Sequence, residues 1–281
     1  MKKRIITGIV IAAVLLTVCR FSDTPIFAAL FTFLSAIGVF EMLGCIGVRK
    51  EKRITVLSLL FSLLATLFAK IVTNESEYVS FLVSGAFLYL LLLFAFSVFS
   101  KGKVPVDDVF ATFATTFYIV LAFTSIILLR SREFGEYLIL IAIFMPLISD
   151  VFAYFCGVFF GKHKLIPEVS PKKTVEGSIG GMFFCGLSCS AFGAVTASLI
   201  GNKVGIILVL RMFAVGIIVS VISQLGDLIA SVIKRKYGIK DYGKIFPGHG
   251  GVLDRFDSVV ATAPLILIVY ELLIKLGVIA I

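Results

Sequence analysis

The stretch SVISQLGDLIASVIKRKYGIKDYGKIFPGHGGVLDRFDS, from Ser220 to Ser258, sets Asp227, Lys234, Arg235, Lys236, Lys240, Asp241, Lys244, His249, Asp254, Arg255 and Asp257 directly after an apolar run. Charge at or beside a bilayer is costly, so by default it marks function. The rest of the chain says that a bilayer is there. Of 281 residues, 59% are hydrophobic and 15% charged, too little polar surface to cover a water-soluble globule. Apolar runs of about 20 residues suit helices crossing a ~30 Å hydrocarbon core, whereas a transmembrane barrel would show short alternating strands. The fold class is therefore all-α, a polytopic helical membrane protein.

Working outward, the chain reads as about nine transmembrane helices. Met1-Lys2-Lys3-Arg4 opens an apolar run to Val18, read as a retained first span because no small-residue cleavage site follows it. Later spans fall near 25–47, 54–73, 78–99, 109–129, 136–160, 177–200, 204–230 and 258–279. Alternate connections carry the basic residues: Lys2 to Arg4, Arg49 to Arg53, Lys101 and Lys103, Lys162 to Lys173, and Lys234 to Arg255. The positive-inside rule then puts the N-terminus and the polar stretch in the cytoplasm and the C-terminus outside. The same loops, facing anionic headgroups, account for the net charge of +9, so nucleic acid is not implied. Cys19, Cys45, Cys156, Cys185 and Cys189 all lie in apolar runs without a C-x-x-C pair and read as buried free thiols.

The two halves differ in kind. Residues 1–135 are apolar spans with ordinary connections, a scaffold and a candidate dimer surface. Residues 136–281 hold the polar groups and are expected to carry a cytoplasm-facing catalytic site. On a continuous helix Ser223, Asp227, Ser231, Lys234 and Arg235 share one face, a carboxylate deeper than a basic cluster. That order suits a metal below and phosphates above, or else a snorkelling helix end. Asp254 and Asp257 stand one turn apart where the last span begins, after Pro247-Gly-His-Gly-Gly251. Two carboxylates there, with glycines that let backbone approach a ligand, suit a hard cation such as magnesium; N-capping is the plainer alternative.

Asp150 shares a helix face with Tyr154, Gly157 and Gly161. It either reaches the same metal centre, hydrogen-bonds Tyr154, or pairs with Arg211. Ser170-Pro-Lys-Lys-Thr-Val-Glu-Gly-Ser178 is a polar turn entering a helix, with Thr174 or Ser178 as cap and Lys172 and Lys173 placed to hold phosphate. Gly177, Gly180, Gly181 and Gly186 then keep that helix slim against its neighbours. Glu41, late in the second span, reads as packing with a partner or as a proton relay. Several aspartates, many bases and glycine-lined helices are the parts that phosphoryl or nucleotidyl transfer needs.

The run Ser231-x-Ile-Lys234-Arg235-x4-Lys240-Asp241-x-Gly243-x2-Phe246-Pro247-x-His249-Gly250-Gly251-Val252-x-Asp254-Arg255-Phe256-Asp257 resembles the signature of the phosphatidate cytidylyltransferases, also called CDP-diacylglycerol synthases. The Ser170–Gly177 region and Gln224-x-Gly226-Asp227-Leu228 support the resemblance. Two departures stand out: Val175 where family members usually have tryptophan, and Ala230 where many have glutamate. The resemblance implies that CTP and phosphatidic acid yield CDP-diacylglycerol and pyrophosphate at the inner face of a bacterial-type plasma (inner) membrane. It also implies magnesium, a second, monovalent cation such as potassium, and a homodimer.

Carried over residue by residue, it makes Asp227 and Asp254 the leading metal ligands, with Asp150 and Asp257 as further candidates. Asp227, Asp254, Lys234, Arg235, Lys240, Arg255 and His249 form the catalytic set. Ser170, Lys172, Lys173, Thr174, Ser231, Gly250 and Gly251 are the remaining phosphate-binding candidates. A CTP-dependent lipid or polyprenol kinase stays open as an alternative. A cation-coupled transporter is a more distant one, since it predicts inverted repeats that this chain does not show.

Overall fold

The computed structural model describes residues 17, 19–72, 75–201, 203–246, 248 and 250–275. The span expected before Val18 and His249 lie outside the described residues. Eight helices among those described are long and apolar enough to cross a membrane: α1 Pro25–Cys45, α2 Lys52–Ile71, α3 Glu75–Phe99, α4 Val106–Arg130, α5 Gly135–Phe160, α6 Val175–Leu199, α7 Ile206–Lys236 and α8 Leu253–Lys275. Each coincides with an expected span. Their outer faces carry exposed Phe33, Val83, Phe159 and Leu199, as helices that meet lipid require.

Most boundaries differ from the sequence reading by one to four residues, and two differ by more, both beside the candidate site. Helix α7 runs six residues past the expected end, so Lys234, Arg235 and Lys236 are helical. No breaker intervenes until Gly238, whose φ of 66° ends the run, and long basic side chains are tolerated at a helix end by snorkelling. Helix α8 starts five residues early, which places Asp254 in its first turn and Asp257 just beyond.

The chain divides into two compact units. One comprises residues up to Glu136 together with Lys236–Phe256; the other comprises Tyr137–Arg235 with the residues from Asp257 onward. In the first unit α1 packs on α2 and α4, and α2 and α4 each pack on α3. Buried hydroxyls knit these helices: Ser35 with Ser62 at 2.9 Å, Ser58 with Tyr89 at 2.8 Å, and Tyr89 to Thr116 at 3.2 Å. In an apolar solvent such hydrogen bonds supply specificity that hydrophobicity cannot. Arg130 is drawn into a cluster with Ser22, Asp23 and Glu136.

The second unit is held by close helix packing. A Cβ at Gly177, Gly180, Gly181 or Gly186 on α6 would collide with Ala153, Cys156, Ser149 or Phe213, so these glycines do keep the helix slim against α5 and α7. Pro146 inside α5 leaves the carbonyl of Ala142 without its helical donor, and the Thr262 hydroxyl of α8 lies 3.3 Å from that oxygen, sharing its one proton between it and the Ser258 and Val259 carbonyls of its own helix. The one sheet among the described residues is a hairpin of β1 Lys164–Ile166 and β2 Ser170–Thr174, antiparallel, with Lys164 opposite Thr174 and Ile166 opposite Ser170.

Candidate active site

The polar turn expected before α6 is this hairpin, and its attachment is specific. The Thr174 hydroxyl accepts from the Gly177 N–H at 3.1 Å and so caps α6, a device that stabilises a helix by about 1 kcal/mol. Glu176 accepts from the backbone N–H groups of Lys162 and His163 and faces His163 Nδ1 at 2.6 Å. Ser178 does not cap. Its hydroxyl donates to Gln224 Oε1 on α7, whose amide donates back to the Ser178 carbonyl at 3.2 Å and to Ser220 Oγ at 3.1 Å; Ser220 is in turn 2.6 Å from Ser149 on α5. The chain of Ser178, Gln224, Ser220 and Ser149 ties three helices at the level where Asp150 and Asp227 follow.

Strand alternation separates the two lysines of the hairpin. Lys172 is exposed, whereas Lys173 turns inward and forms an ion pair with Asp227 Oδ2. Asp257 on α8 is half-buried, and the charges that act on it are the Asp227 and Asp150 carboxylates and the Lys234 ammonium. Asp150 accepts a hydrogen bond from the Ser258 hydroxyl at 2.9 Å, which joins α5 to α8. Tyr154, the alternative partner weighed from the sequence, is 67% exposed. Three carboxylates and two lysines from β2, α5, α7 and α8 thus share one electrostatic neighbourhood in the second unit. Along α7 from Asp227, Ser231 one turn on is half-buried and Arg235 two turns on is exposed.

Asp254 has different company, in the first unit. It is 7% exposed, and its Oδ2 accepts from the Tyr242 N–H at 2.8 Å and the Gly251 N–H at 2.9 Å. The carboxylate thereby ties the first turn of α8 back onto the loop that joins α7 to α8, and the bridge between Phe246 and Gly250 closes that loop further. Gly250 has φ 85°, and a Cβ there would lie 2.6 Å from Asp254 Oδ2. Glycine at 250 is thus required by the carboxylate and by the left-handed backbone together. Gly251 gives its N–H to Asp254. Lys240, Asp241 and Arg255 are exposed around the same loop.

Sequence reasoning gave no role to three residues that arrange this site, although Gln224 and Glu176 stand in the stretches that carry the resemblance. Gln224 had a signal, an amide within an apolar run. Ser258 and Glu176 had none, because a hydroxyl or carboxylate near a span end is common and only its partner reveals its use.

These apolar helices, eight of them long enough to cross a membrane, define a polytopic helical membrane protein. The profile of the cytidylyltransferase family matches residues 2–273, and the chain belongs to that family. It is similar to a phosphatidate cytidylyltransferase of Bacillus subtilis, 34% identical over 271 residues that cover 94% of this chain and 95% of the relative. It is similar also to one of Staphylococcus haemolyticus, 33% identical over 267 residues covering 95% and 97%. A third, from Staphylococcus aureus, is 37% identical over 175 residues, 62% of this chain.

Proposed function

We propose that the chain transfers the cytidylyl group of CTP to phosphatidate, releasing pyrophosphate and forming CDP-diacylglycerol. The observation that carries this reading is its near-full-length likeness to two proteins named phosphatidate cytidylyltransferase, and the Asp150, Asp227, Asp257, Lys173 and Lys234 cluster supplies the chemistry.

A phosphatidate oxygen attacks the α-phosphorus of CTP. The new P–O bond forms as the bond to the β-phosphate oxygen breaks, and the electron pair leaves on pyrophosphate. The lipid phosphate is already ionised at neutral pH, so no general base is needed. What the protein must do is hold and neutralise oxygens in line. Lys173 and Lys234 stand among the carboxylates for that purpose, and Lys172 and Arg235 extend the positive surface outward. Lys240, His249 and Arg255 belong to the same assignment as further phosphate-binding groups.

The residues present fit magnesium. Asp227 and Asp257 would hold it, with Asp150 as a neighbour, and all are hard oxygen donors. One turn before Asp227 on the same face of α7, the Ser223 hydroxyl is fully buried and makes no hydrogen bond among the described residues, an oxygen donor left over for a cation. Among the described residues no three His, Cys, Asp or Glu side chains converge on one point. Magnesium characteristically keeps waters and substrate phosphate oxygens for its other positions. When bound, it would spread the charge of the triphosphate and the leaving pyrophosphate. Asp254 stands in this proposal as a ligand of second rank, because its Oδ2 already closes the loop. A monovalent cation and a homodimer complete the reading that the resemblance implies.

The Lys and Arg asymmetry of the connections supports a site facing the cytoplasm of a bacterial inner membrane. The test is incubation of purified protein with phosphatidic acid, magnesium and CTP labelled either in the cytidine or in the γ-phosphate. Cytidine label in the organic phase supports the proposal. Lipid labelled only from the γ-phosphate makes the protein a kinase, and no transfer overturns both.

A further inference from the structure

Glu41 sits near the end of α1, at 3% exposure, in a chain segment otherwise made of apolar side chains. An ionised or hydrogen-bonding group so placed is stable only when its oxygens are satisfied. Both are. The Val252 N–H donates to Oε1 and the Leu253 N–H to Oε2, each at 3.0 Å. These are donors at the start of α8 that have no partner within their own helix. The carboxylate that satisfies them comes from more than 200 residues earlier in the chain.

A second observation points the same way. A Cβ at Gly243 or at Gly251 would collide with the Glu41 carboxylate, whereas Gly238 in the same loop has nothing within 4 Å. Two glycines of the signature are thus shaped around Glu41. With Asp254 holding Tyr242 and Gly251, four backbone N–H groups of one loop are taken up by two carboxylates, one local and one from α1. Among its described residues the segment between α7 and α8, which carries Lys240, forms no helix or strand beyond the Phe246–Gly250 bridge, so its conformation depends on these contacts.

We infer that Glu41 is a positioning residue of the transfer reaction: it fixes the Lys240–Arg255 loop and the start of α8 without touching substrate. This inference rests on the function proposed above. The test compares Glu41→Gln and Glu41→Ala with wild type in cytidylyl transfer at varied CTP, and in limited trypsin digestion of the folded protein in detergent. Gln keeps the shape but sets an amide against one N–H donor, and Ala leaves both donors unsatisfied. The expected kcat/KM falls by roughly 10-fold for Gln and 100-fold for Ala. Cleavage at Lys240 and Lys244 should accelerate while cleavage in the Lys162–Lys173 hairpin stays at the wild-type rate.

A merely global loss of stability would speed both cleavages and overturn the inference, as would wild-type kinetics in Glu41→Ala, or a loosened loop with unchanged kcat/KM. Should Glu41→Ala fail to fold, Glu41→Gln decides alone. If wild-type protein transfers no cytidylyl group, the functional reading fails, while the cleavage comparison still reports whether Glu41 holds the loop.

Discussion

Lys173, on the second strand of the hairpin, is ion-paired with Asp227 on α7, and each side chain keeps only a quarter of its surface exposed. Under the proposed function this pair would part, Asp227 taking a cation and Lys173 a phosphate oxygen, so that neither half-buried charge is left isolated. Asp227→Asn is expected to reduce cytidylyl transfer by at least ~100-fold, and Lys173→Met to raise the KM for CTP. Initial rates across a CTP titration check both. Activity of Asp227→Asn within a few-fold of wild type would remove Asp227 from the site.

Asp254 and Asp257 stand one turn apart on α8 but have different partners, so their amides should behave differently. Asp254→Asn keeps an acceptor for Tyr242 and Gly251, and Asp254→Ala removes it. Trypsin should therefore cut the Lys236–Arg255 loop faster in the Ala variant than in the Asn variant. Asp257→Asn should leave the loop as resistant as wild type while transfer falls to background. Equal cleavage of both Asp254 variants would mean that the carboxylate does not close the loop.

The glycines of the loop separate by what surrounds them. Gly250→Ala meets both a φ of 85° and the Asp254 carboxylate, whereas Gly238→Ala at φ 66° meets only the backbone strain, with open space around it. The first should cost about 2–3 kcal/mol of loop stability and the second about 1 kcal/mol. Thermal unfolding in detergent, followed with the residual activity, gives the order; the reverse order would contradict the packing.

Val175 opens α6 and is 36% exposed, so a larger ring there has room. Val175→Trp should retain activity within a few-fold and the same melting temperature. Loss of activity with intact folding would show that position 175 faces a substrate.

Removing divalent cations by chelation should stop transfer and adding magnesium restore it, without a change in the helical circular dichroism signal. Restoration by zinc in place of magnesium would contradict an all-oxygen donor set.

The sequence by itself determined the elements and the chemistry on offer. Eight spans were legible because about 20 apolar residues in a row have one stable answer in lipid, a helix with its backbone hydrogen bonds satisfied internally. The small-residue face of α6 was legible because closely packed membrane helices favour glycine, and the aspartates and bases of the Ser220–Ser258 stretch because their cost in a membrane makes them conspicuous. The ends of α7 and α8 were missed by five or six residues, since charged residues can either extend a helix or leave it. Partnership is what only the tertiary structure decided. Nothing local to Lys172 and Lys173 says which of them meets Asp227, and nothing local to Asp254 separates a metal ligand from a loop tie. Nothing near Glu41 announces donors more than 200 residues away. A buried carboxylate takes whatever hydrogen-bond donors the packed helices bring to it, and sequence distance does not enter that energy.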